Sequence, residues 1–338
     1  MPGDSSPLGS AAPASGTVLE VRDLSVEYLL ERGTVLAVDQ VSFDLSAGEF
    51  LGIVGESGCG KSTLLFAIAQ LLVPPAEVTG GRVIFKGRNM VGLTDRELSA
   101  VRWRDLSVVM QSAMNALNPV KSIGAQYFDA MRAHGVASKG EIAERSSEVL
   151  KMVGIDPVHL KSYPHQLSGG MRQRAMIAMA LLFTPDLVIM DEPTSALDVV
   201  AQRSLMVQIK ELQEQLGFAI IFVTHDMSLV SHFSDRLMVM YGGLVAEFGA
   251  TRQVFDNPLH PYSIGLLEAF PSIRGPRVPL TGIPGSPPNL ANIPPGCRFA
   301  PRCPKVMARC EVEPPELYQV DGTLVRCFLH DGGGRADD

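Results

Sequence analysis

The sequence predicts an α/β domain built around a largely parallel β-sheet. Short apolar runs recur along the chain and are separated in several places by helical stretches. These runs lie at residues 18–28, 50–54, 82–85, 106–110, 187–190, 218–224 and 236–241. Two of them, 187–190 and 218–223, are apolar without alternation, which is typical of strands covered on both faces. Strands that alternate with helices favour a parallel sheet.

Composition limits the classes of function. The 338 residues are 46% hydrophobic and carry a formal net charge of −7, which suits one large domain with an appendage and argues against a nucleic-acid partner held by bulk charge. The longest apolar run, 175–183, is only nine residues, well short of the roughly 18 that cross a membrane. Residues 1–16 lack the features of a secretory signal and are predicted to form a disordered tail. We therefore expect a cytosolic protein whose membrane-spanning part, if any, belongs to another subunit.

A phosphate-binding loop is predicted at residues 55–63, "GESGCGKST", which fits the pattern G-x-x-x-x-G-K-[ST]. An apolar run precedes it and the helical stretch 63–72 follows. In such a loop the glycines let backbone N–H groups surround phosphates, Lys61 supplies a positive charge, and the Ser62 hydroxyl binds Mg²⁺. A glycine-rich turn with no ligand is the alternative, and the flanking strand and helix disfavour it. The residues predicted to bind ATP here are Gly55, Ser57, Gly58, Cys59, Gly60, Lys61, Ser62 and Thr63, of which Cys59 needs no chemical role.

A second acidic element is predicted where the run 187–190 ends at Asp191 and Glu192. Asp191 is placed to hold Mg²⁺ through the waters of the metal, and Glu192 to polarise the attacking water. The alternative is a strand that ends in two solvent-exposed charges, which the phosphate-binding loop makes less favourable.

A third element, "QLSGGMRQR" at 166–174, places a serine and two glycines at the start of an apolar helix. Free backbone N–H groups at a helix N-terminus bind anions. The chain thus carries two anion-binding segments more than a hundred residues apart.

These segments together resemble one family. "GESGCGKST", Gln111, "LSGGMRQR", "LVIMDEPTSALD" and "THD" occur in the order and spacing of the nucleotide-binding subunits of ATP-binding cassette (ABC) transporters. The resemblance covers residues 17–255. It implies a P-loop NTPase core of the ABC ATPase type and an ATPase activity with ATP and Mg²⁺. Residues 122–165 contain no strong strand signal, and 141–155 reads as a helix closing on Gly154. A helical subdomain is therefore predicted to be inserted at about 112–175.

The resemblance also implies the roles of single residues. Tyr28 would stack on adenine, although a core aromatic is an equal alternative. Gln111 would sense the metal and the γ-phosphate while coupling to the membrane subunit. It would form the Mg²⁺ site with Ser62 and Asp191. His225 would contact the γ-phosphate, where the alternative is a surface or capping histidine. The catalytic set implied is Glu192, His225, Gln111 and Lys61.

In this family two subunits pack head to tail. Ser168, Gly169 and Gly170 would then cover the ATP held by the partner's phosphate-binding loop, and Asp198 would lie at the dimer seam. ATP would close the dimer and hydrolysis would release it. The sequence leaves open whether the partner is a copy or a paralogue.

The C-terminal segment 256–330, before a short tail at 331–338, resembles the extension of oligopeptide/dipeptide-type importer ATPases, a branch that includes nickel and oligosaccharide importers. The resemblance rests on "NPLHPYSIGLLEAFPS" (257–272), "IPGSPP" (283–288) and "PPGCRFAPRCPKVMARC" (294–310). One position departs from this pattern. Peptide importers usually carry Asp–Pro where this chain has Ser112–Ala113, and the Ser–Ala variant resembles sugar-oligomer importers more. The cargo therefore stays open between peptide, oligosaccharide and nickel.

The same segment contains Cys297, Cys303, Cys310 and Cys327, spaced C-x5-C-x6-C-x16-C. This spacing matches neither a zinc finger nor a ferredoxin, and paired disulfides are disfavoured in the cytosol. From residue 270 onward prolines predict a linker and a small separate module without its own core. The resemblance implies a 4Fe–4S cluster with a structural role, and zinc or free thiols are the alternatives.

The leading functional hypothesis is the energy-coupling subunit of a solute importer. It would work at the cytoplasmic face of the membrane with a second ABC ATPase subunit, two permease subunits and an extracytoplasmic solute-binding protein. The main alternative is a soluble ABC ATPase in nucleic-acid repair or translation with a zinc module, which the acidic balance and the few basic residues near the cysteines disfavour. A third hypothesis, an exporter ATPase, does not account for the C-terminal extension.

Overall fold

The computed structural model describes residues 16–31, 33–111, 116–195, 197–269, 282–332 and 334–335. Three sequence features fall wholly or mainly outside these residues: the predicted N-terminal tail up to residue 15, the Ser112–Ala113 departure, and the first part of the predicted linker, residues 270–281. Of the predicted C-terminal tail, only 331–332 and 334–335 are described.

The described elements follow one another as strands and helices that we number along the chain. They are β1 (Thr17–Leu30), β2 (Gly33–Ser46), β3 (Phe50–Val54), α1 (Lys61–Ile68), β4 (Ala76–Phe85), β5 (Arg88–Asn89), α2 (Asp95–Val101), β6 (Leu106–Val109), α3 (Ile123–Ala133), α4 (Lys139–Met152), α5 (Gly169–Ala180), β7 (Leu187–Asp191), α6 (Val199–Leu216), β8 (Ala219–Val223), α7 (Met227–Phe233), β9 (Arg236–Tyr241), β10 (Leu244–Ala250), α8 (Thr251–Asp256), α9 (Pro261–Glu268), α10 (Ala308–Val312), β11 (Tyr318–Val320), β12 (Thr323–Val325) and β13 (Gly334–Arg335).

The larger sheet has the order β13-β11-β12-β10-β9-β3-β8-β7-β6. Its central strands β9, β3, β8, β7 and β6 are parallel, as the sequence predicts. Every residue of β3, β7 and β8 is buried, which explains why these runs are apolar without alternation. The carboxyl ends of these parallel strands meet at one edge of the sheet, and the candidate site lies there.

A second sheet is antiparallel, with the order β2-β1-β4-β5. The apolar runs at 18–28 and 82–85 belong to it, so the expectation of one largely parallel sheet is incomplete. The buried residues of β1 and β2, such as Leu19 and Leu45, pack in one core with α1 and β3. Their other face is partly exposed, which is the pattern of an antiparallel sheet with one covered face.

The inserted helical region contains α3 and α4. Ser122 and Ser138 cap the two helices by accepting hydrogen bonds from the backbone N–H groups three residues on, a strong N-terminal preference of serine. Gly154, two residues beyond α4, has φ of 69° and ends the helix as predicted. The buried Tyr127 hydroxyl donates a 2.5 Å hydrogen bond to the Ala175 carbonyl of α5, which ties this region to the helix behind the "LSGG" turn.

The cysteine-containing segment is not a separate module. β12 pairs with β10, with Glu247 opposite Val325 and Phe248 opposite Leu324, so the segment extends the edge of the main sheet. It also has a small core of its own, formed by Ala300, Cys310, Tyr318, Val325 and Phe328. The sequence predicts a separate module and no core of its own, and both expectations are wrong. The strands of this segment have three residues or fewer, which is too short to recognise from the sequence. Within the described ranges no helix is long and apolar enough to cross a membrane.

Candidate active site

The loop between β3 and α1 follows a path that requires glycine. Gly60 has φ of 103°, and a Cβ placed there would lie 2.2 Å from the Ala37 carbonyl oxygen. Gly55 has φ of 151°, and its Cβ would lie 2.2 Å from the Met240 carbonyl oxygen. No side chain fits at either distance, so the two glycines fix the shape of the loop.

Lys61 is the first residue of α1, and its side chain turns back over the loop. Nζ donates hydrogen bonds to the carbonyl oxygens of Gly55 at 2.8 Å and Glu56 at 2.9 Å. Only 7% of Lys61 is exposed, so its positive charge is concentrated at the loop rather than in solvent. Burial raises the pKa of the neighbouring Cys59 thiol, which keeps the thiol neutral.

A cavity of about 490 Å³ opens above this loop. It gathers residues from widely separated parts of the sequence. Those predicted as site residues are Tyr28, Gly55, Ser57, Gly58, Gly60, Lys61, Ser62, Thr63, Gln111, Glu192 and His225. The Tyr28 hydroxyl lies 3.1 Å from Thr63 Oγ1, which holds the ring at the edge of the cavity. Cys59 is buried beneath it.

Asp191 is the last residue of β7 and is 3% exposed. Burial raises the pKa of its carboxyl, and a hydrogen bond from Ser62 opposes that rise. Its Oδ1 atom is buried and has no hydrogen-bond partner among the described residues. A carboxylate oxygen left in this way beside a serine hydroxyl fits a Mg²⁺ site, so Ser62 and Asp191 are suited to hold the ion, with nucleotide oxygens and water completing its shell.

Glu192 stands at the centre of the polar groups. Gln111 Nε2 donates a 2.8 Å hydrogen bond to Glu192 Oε2, and His225 Nδ1 lies 3.5 Å from Oε1. The backbone of Glu192 has φ of 44°, a strained value for a residue with a side chain, and such strain concentrates at functional sites. The structure thus brings together Gln111, Glu192 and His225, which follow three different strands.

The "LSGG" residues lie elsewhere. Ser168 caps α5 by accepting a 3.3 Å hydrogen bond from the Met171 N–H, so the serine and both glycines form a helix N-terminus as predicted. None of the three lines the cavity described above. Asp198 caps α6 and is followed by Val199 and Val200, which are 77% and 80% exposed.

Comparison with known proteins agrees with this geometry. Residues 38–195 match the ABC transporter family model, and residues 246–310 match the model of the oligopeptide/dipeptide transporter C-terminal region. The oligopeptide transport ATP-binding protein OppD of Salmonella typhimurium is 44% identical over 94% of this chain and 95% of its own. The dipeptide transport ATP-binding protein DppD of Bacillus subtilis is 45% identical over 93% of this chain and 95% of its own.

The chain belongs to the ABC transporter ATP-binding subunits of the oligopeptide/dipeptide type. Among solved structures, the dimeric post-hydrolysis state of the ATP-binding cassette MJ0796 bound to ADP and Pi is similar, with a TM-score of 0.62 and 30% identity over 69% of this chain and 99% of that one. The α/β ABC ATPase fold and the ATPase activity predicted from the sequence are therefore confirmed. The relatives do not favour a role in repair or translation.

The four cysteines of the extension of this ABC subunit form no disulfide. Burial raises the pKa of Cys297 and Cys303, and raises that of Cys327 to about 11. The four-thiol set is chemically right for a cluster or zinc. In the described ranges, however, no group of three or more His, Cys, Asp or Glu side chains is arranged to hold a metal ion by itself.

Two features of the ATP site were not foreseen. Leu290, from the C-terminal extension, lines the cavity together with Val35 and Ala37. Glu56, within the phosphate-binding loop, pairs with Arg302 of the extension. The sequence did contain a signal for the contact between Glu56 and Arg302. A carboxylate in a loop that binds anions repels them unless a positively charged side chain compensates it.

Proposed function

We propose that this ABC ATPase drives the import of oligopeptides or dipeptides, and that relatives such as OppD and DppD indicate the cargo class. The observation that carries the proposal is the joint match of an ABC core and an oligopeptide/dipeptide C-terminal region in one chain. The subunit would sit at the cytoplasmic face of the membrane against two permease subunits, fed by an extracytoplasmic solute-binding protein.

ATP is proposed to be held between two ATPase subunits packed head to tail. Each P-loop site would be closed by Ser168, Gly169 and Gly170 of the other subunit. The position of these residues at a helix N-terminus outside the chain's own cavity supports this arrangement. A helix N-terminus offers free N–H groups to the γ-phosphate, so ATP would join the two subunits.

Hydrolysis is proposed to use Glu192 as the group that polarises the attacking water. The hydrogen bond from Gln111 fixes one carboxylate oxygen, and the other stays available towards His225 and the cavity. Lys61 would exchange its loop carbonyl partners for phosphate oxygens. Mg²⁺ on Ser62 and Asp191 would neutralise charge on the phosphates, and Gln111 would sense the metal.

The cargo is tested with the complete complex. The native complex is purified from gently solubilised membranes, its subunits are identified, and its ATPase is measured with the binding protein preloaded with a dipeptide, an oligopeptide, an oligosaccharide or nickel. Stimulation by peptide supports the proposal. Stimulation by oligosaccharide or nickel alone would move the cargo to those classes, and co-purification with ribosomes or DNA would overturn the importer function.

A 4Fe–4S cluster on Cys297, Cys303, Cys310 and Cys327 is a second proposal, supported by the donor set alone. Iron, acid-labile sulfide and zinc are measured in anaerobically purified protein together with the visible spectrum. About four irons and four sulfides per chain with a broad visible band support the cluster. One zinc per chain with no visible band supports a zinc site instead. If neither iron nor zinc is found, the four cysteines are free thiols.

A further inference from the structure

The extension reaches the phosphate-binding loop through one buried arginine. Arg302 Nη1 lies 2.6 Å from Glu56 Oε2, and Nη2 lies 2.9 Å from Oε1. The two side chains are 5% and 25% exposed. A two-pronged contact of this kind fixes both distance and orientation of the carboxylate. These hydrogen bonds from Arg302 also raise its own pKa, so the guanidinium stays charged.

Glu56 in turn touches the phosphate-binding lysine. Its N–H donates a 2.9 Å hydrogen bond to the Tyr262 hydroxyl, and its carbonyl oxygen accepts a 2.9 Å hydrogen bond from Lys61 Nζ. The residue is therefore held at its side chain, its N–H and its carbonyl. A displacement of the Glu56 side chain would move the backbone against which Lys61 is placed.

Arg302 is itself held in a fixed position. Nε donates a 2.7 Å hydrogen bond to the Pro284 carbonyl, and Nη1 lies 3.2 Å from the Tyr241 hydroxyl. The Tyr241 ring packs against Tyr262 at 4.5 Å between ring centres. The support behind Glu56 is thus a connected group of side chains from β9 and from the extension, including its helix α9.

Another arginine of the extension makes a parallel contact. Arg298 donates to the Asp39 carboxylate and to the Gly242 carbonyl. The next residue, Gly243, donates a 3.0 Å hydrogen bond to the carbonyl of Cys59 in the phosphate-binding loop. Arg298 follows Cys297 and Arg302 precedes Cys303, so both contacts start beside a cysteine of the four-cysteine segment.

We propose that the C-terminal extension is part of the ATP site, and that Arg302 is a positioning residue that sets the phosphate-binding loop through Glu56. Leu290, from the same extension, forms part of the wall of the nucleotide cavity. This inference rests on ATP binding by the chain and is independent of the cargo. The four-cysteine segment consequently acts on nucleotide affinity from within one chain.

The test compares full-length variants for Mg–ATP binding and for steady-state ATPase. Arg302→Gln keeps a polar side chain but removes the charge and the paired donors. We expect it to raise the Kd and KM for ATP about tenfold, which is about 1.4 kcal/mol, while kcat at saturating ATP stays within about twofold. That split between KM and kcat marks a change in loop position rather than loss of the catalytic groups.

The matched control is Arg309→Gln. Arg309 lies in the same segment and is also ion-paired, to Glu313 at 3.0 Å and Asp331 at 2.7 Å, but these partners belong to the extension and to the tail that follows it. It should bind ATP as the wild type does. Arg302→Lys should recover part of the affinity. The double variant Arg302→Gln/Glu56→Gln should bind ATP no more weakly than Arg302→Gln alone, because the two changes remove the same contact.

The inference is overturned if Arg302→Gln binds ATP with wild-type affinity, or if the effects of Arg302→Gln and Glu56→Gln simply add. If Arg302→Gln does not fold, the ATP affinities of the double variant and of Arg302→Lys are compared with that of the wild type instead, and wild-type affinity in both overturns the inference. A wild-type chain that fails to bind ATP would contradict the ATPase activity as well. A complex that binds ATP with the expected Arg302 dependence but does not transport peptide would contradict only the cargo proposal.

Discussion

Gln111 and Glu192 are joined by a 2.8 Å hydrogen bond from the Gln111 amide to Glu192 Oε2. Gln111 follows β6 and Glu192 follows β7, and these strands are parallel neighbours. Their carboxyl ends therefore meet, and a contact across 81 residues of sequence forms without any special loop. The amide is neutral, so it orients the carboxylate without titrating.

Glu192→Gln should abolish turnover while preserving ATP binding. Gln111 and His225 can still contact the amide that replaces the carboxylate, but the amide cannot polarise water as a base. We expect ATPase activity to fall by about 10²-fold or more and Mg–ATP to trap a closed dimer. ATPase rates and size-exclusion chromatography with and without ATP measure the two effects.

The control for this variant is Glu211→Gln, on the exposed side of α6, which should hydrolyse ATP at the wild-type rate. Undiminished hydrolysis by Glu192→Gln would remove Glu192 from the base role.

Gly60→Ala should lose ATP binding. The new Cβ would lie 2.2 Å from the Ala37 carbonyl, and φ of 103° is itself unfavourable for alanine, so the loop must move. We expect ATP affinity to fall at least about tenfold and the free energy of unfolding to fall by about 1–3 kcal/mol. Fluorescence titration and urea unfolding measure the two quantities.

Gly92→Ala is the control that distinguishes backbone strain from a steric clash of the new Cβ. Gly92 also has a positive φ, of 86°, but no atom lies within 4 Å of its Cβ position. The variant should lose some stability and keep its ATP affinity. Equal ATP affinity for Gly60→Ala and the wild type would mean that the loop geometry does not set the site.

Much of the site could be predicted because its residues follow the ends of parallel strands. Once 50–54, 187–190 and 218–224 are recognised as neighbouring strands, the residues after them must share one edge of the sheet. The Arg302–Glu56 pair could not be found in this way. It spans 246 residues and starts in a proline-rich segment without periodicity, where only tertiary packing decides which side chain meets which.

The antiparallel sheet was missed for a different reason. Only residues 41–46 of the strand 33–46 alternate apolar and polar side chains. Before them, Asp39 and Gln40 interrupt the pattern where the register with β1 shifts and Gln40 has φ of 47°. The register of this strand becomes clear only against β1, whose pairing with it shifts several times. Local pattern is weakest where bulges interrupt it.

Ser168→Arg tests the head-to-tail arrangement in mixed dimers of two copies. With Ser168→Arg in one copy and Glu192→Gln in the other, one complete site remains if each site combines the loop of one copy with the "LSGG" turn of the other. We expect about half of the wild-type ATPase rate per dimer. With both changes in the same copy, both sites are damaged and activity should be lost.

Sites contained within one chain would give the reverse: activity lost with the changes in opposite copies and about half retained with both in one. Ser138→Arg is the control, because Ser138 is also an exposed helix-capping serine, at α4. It removes a cap of similar value, about 1 kcal/mol, without approaching the ATP.

His260→Asn should make the stability of the protein less sensitive to acid. His260 is 4% exposed, and its Nδ1 accepts a 2.9 Å hydrogen bond from the Tyr262 N–H, so the ring is neutral. Burial lowers its pKa to about 3. The unfolded chain binds a proton at this histidine below a pH of about 6.5, while the folded chain does not. Stability is therefore fully present above about pH 6.5 and is lost as the pH falls towards the folded pKa.

One such proton removes at most about 1.4 kcal/mol of unfolding free energy per pH unit. Asparagine can still cap α9 but does not titrate, so the difference in unfolding free energy between His260→Asn and the wild type should shift in favour of the variant as the pH falls from about 6.5 to 4.5. Urea unfolding at several pH values measures it, with the exposed His165→Asn as a control that should run parallel to the wild type. If His260→Asn and the wild type lose stability in parallel over this range, His260 is protonated in the folded protein and its buried environment does not govern the acid response.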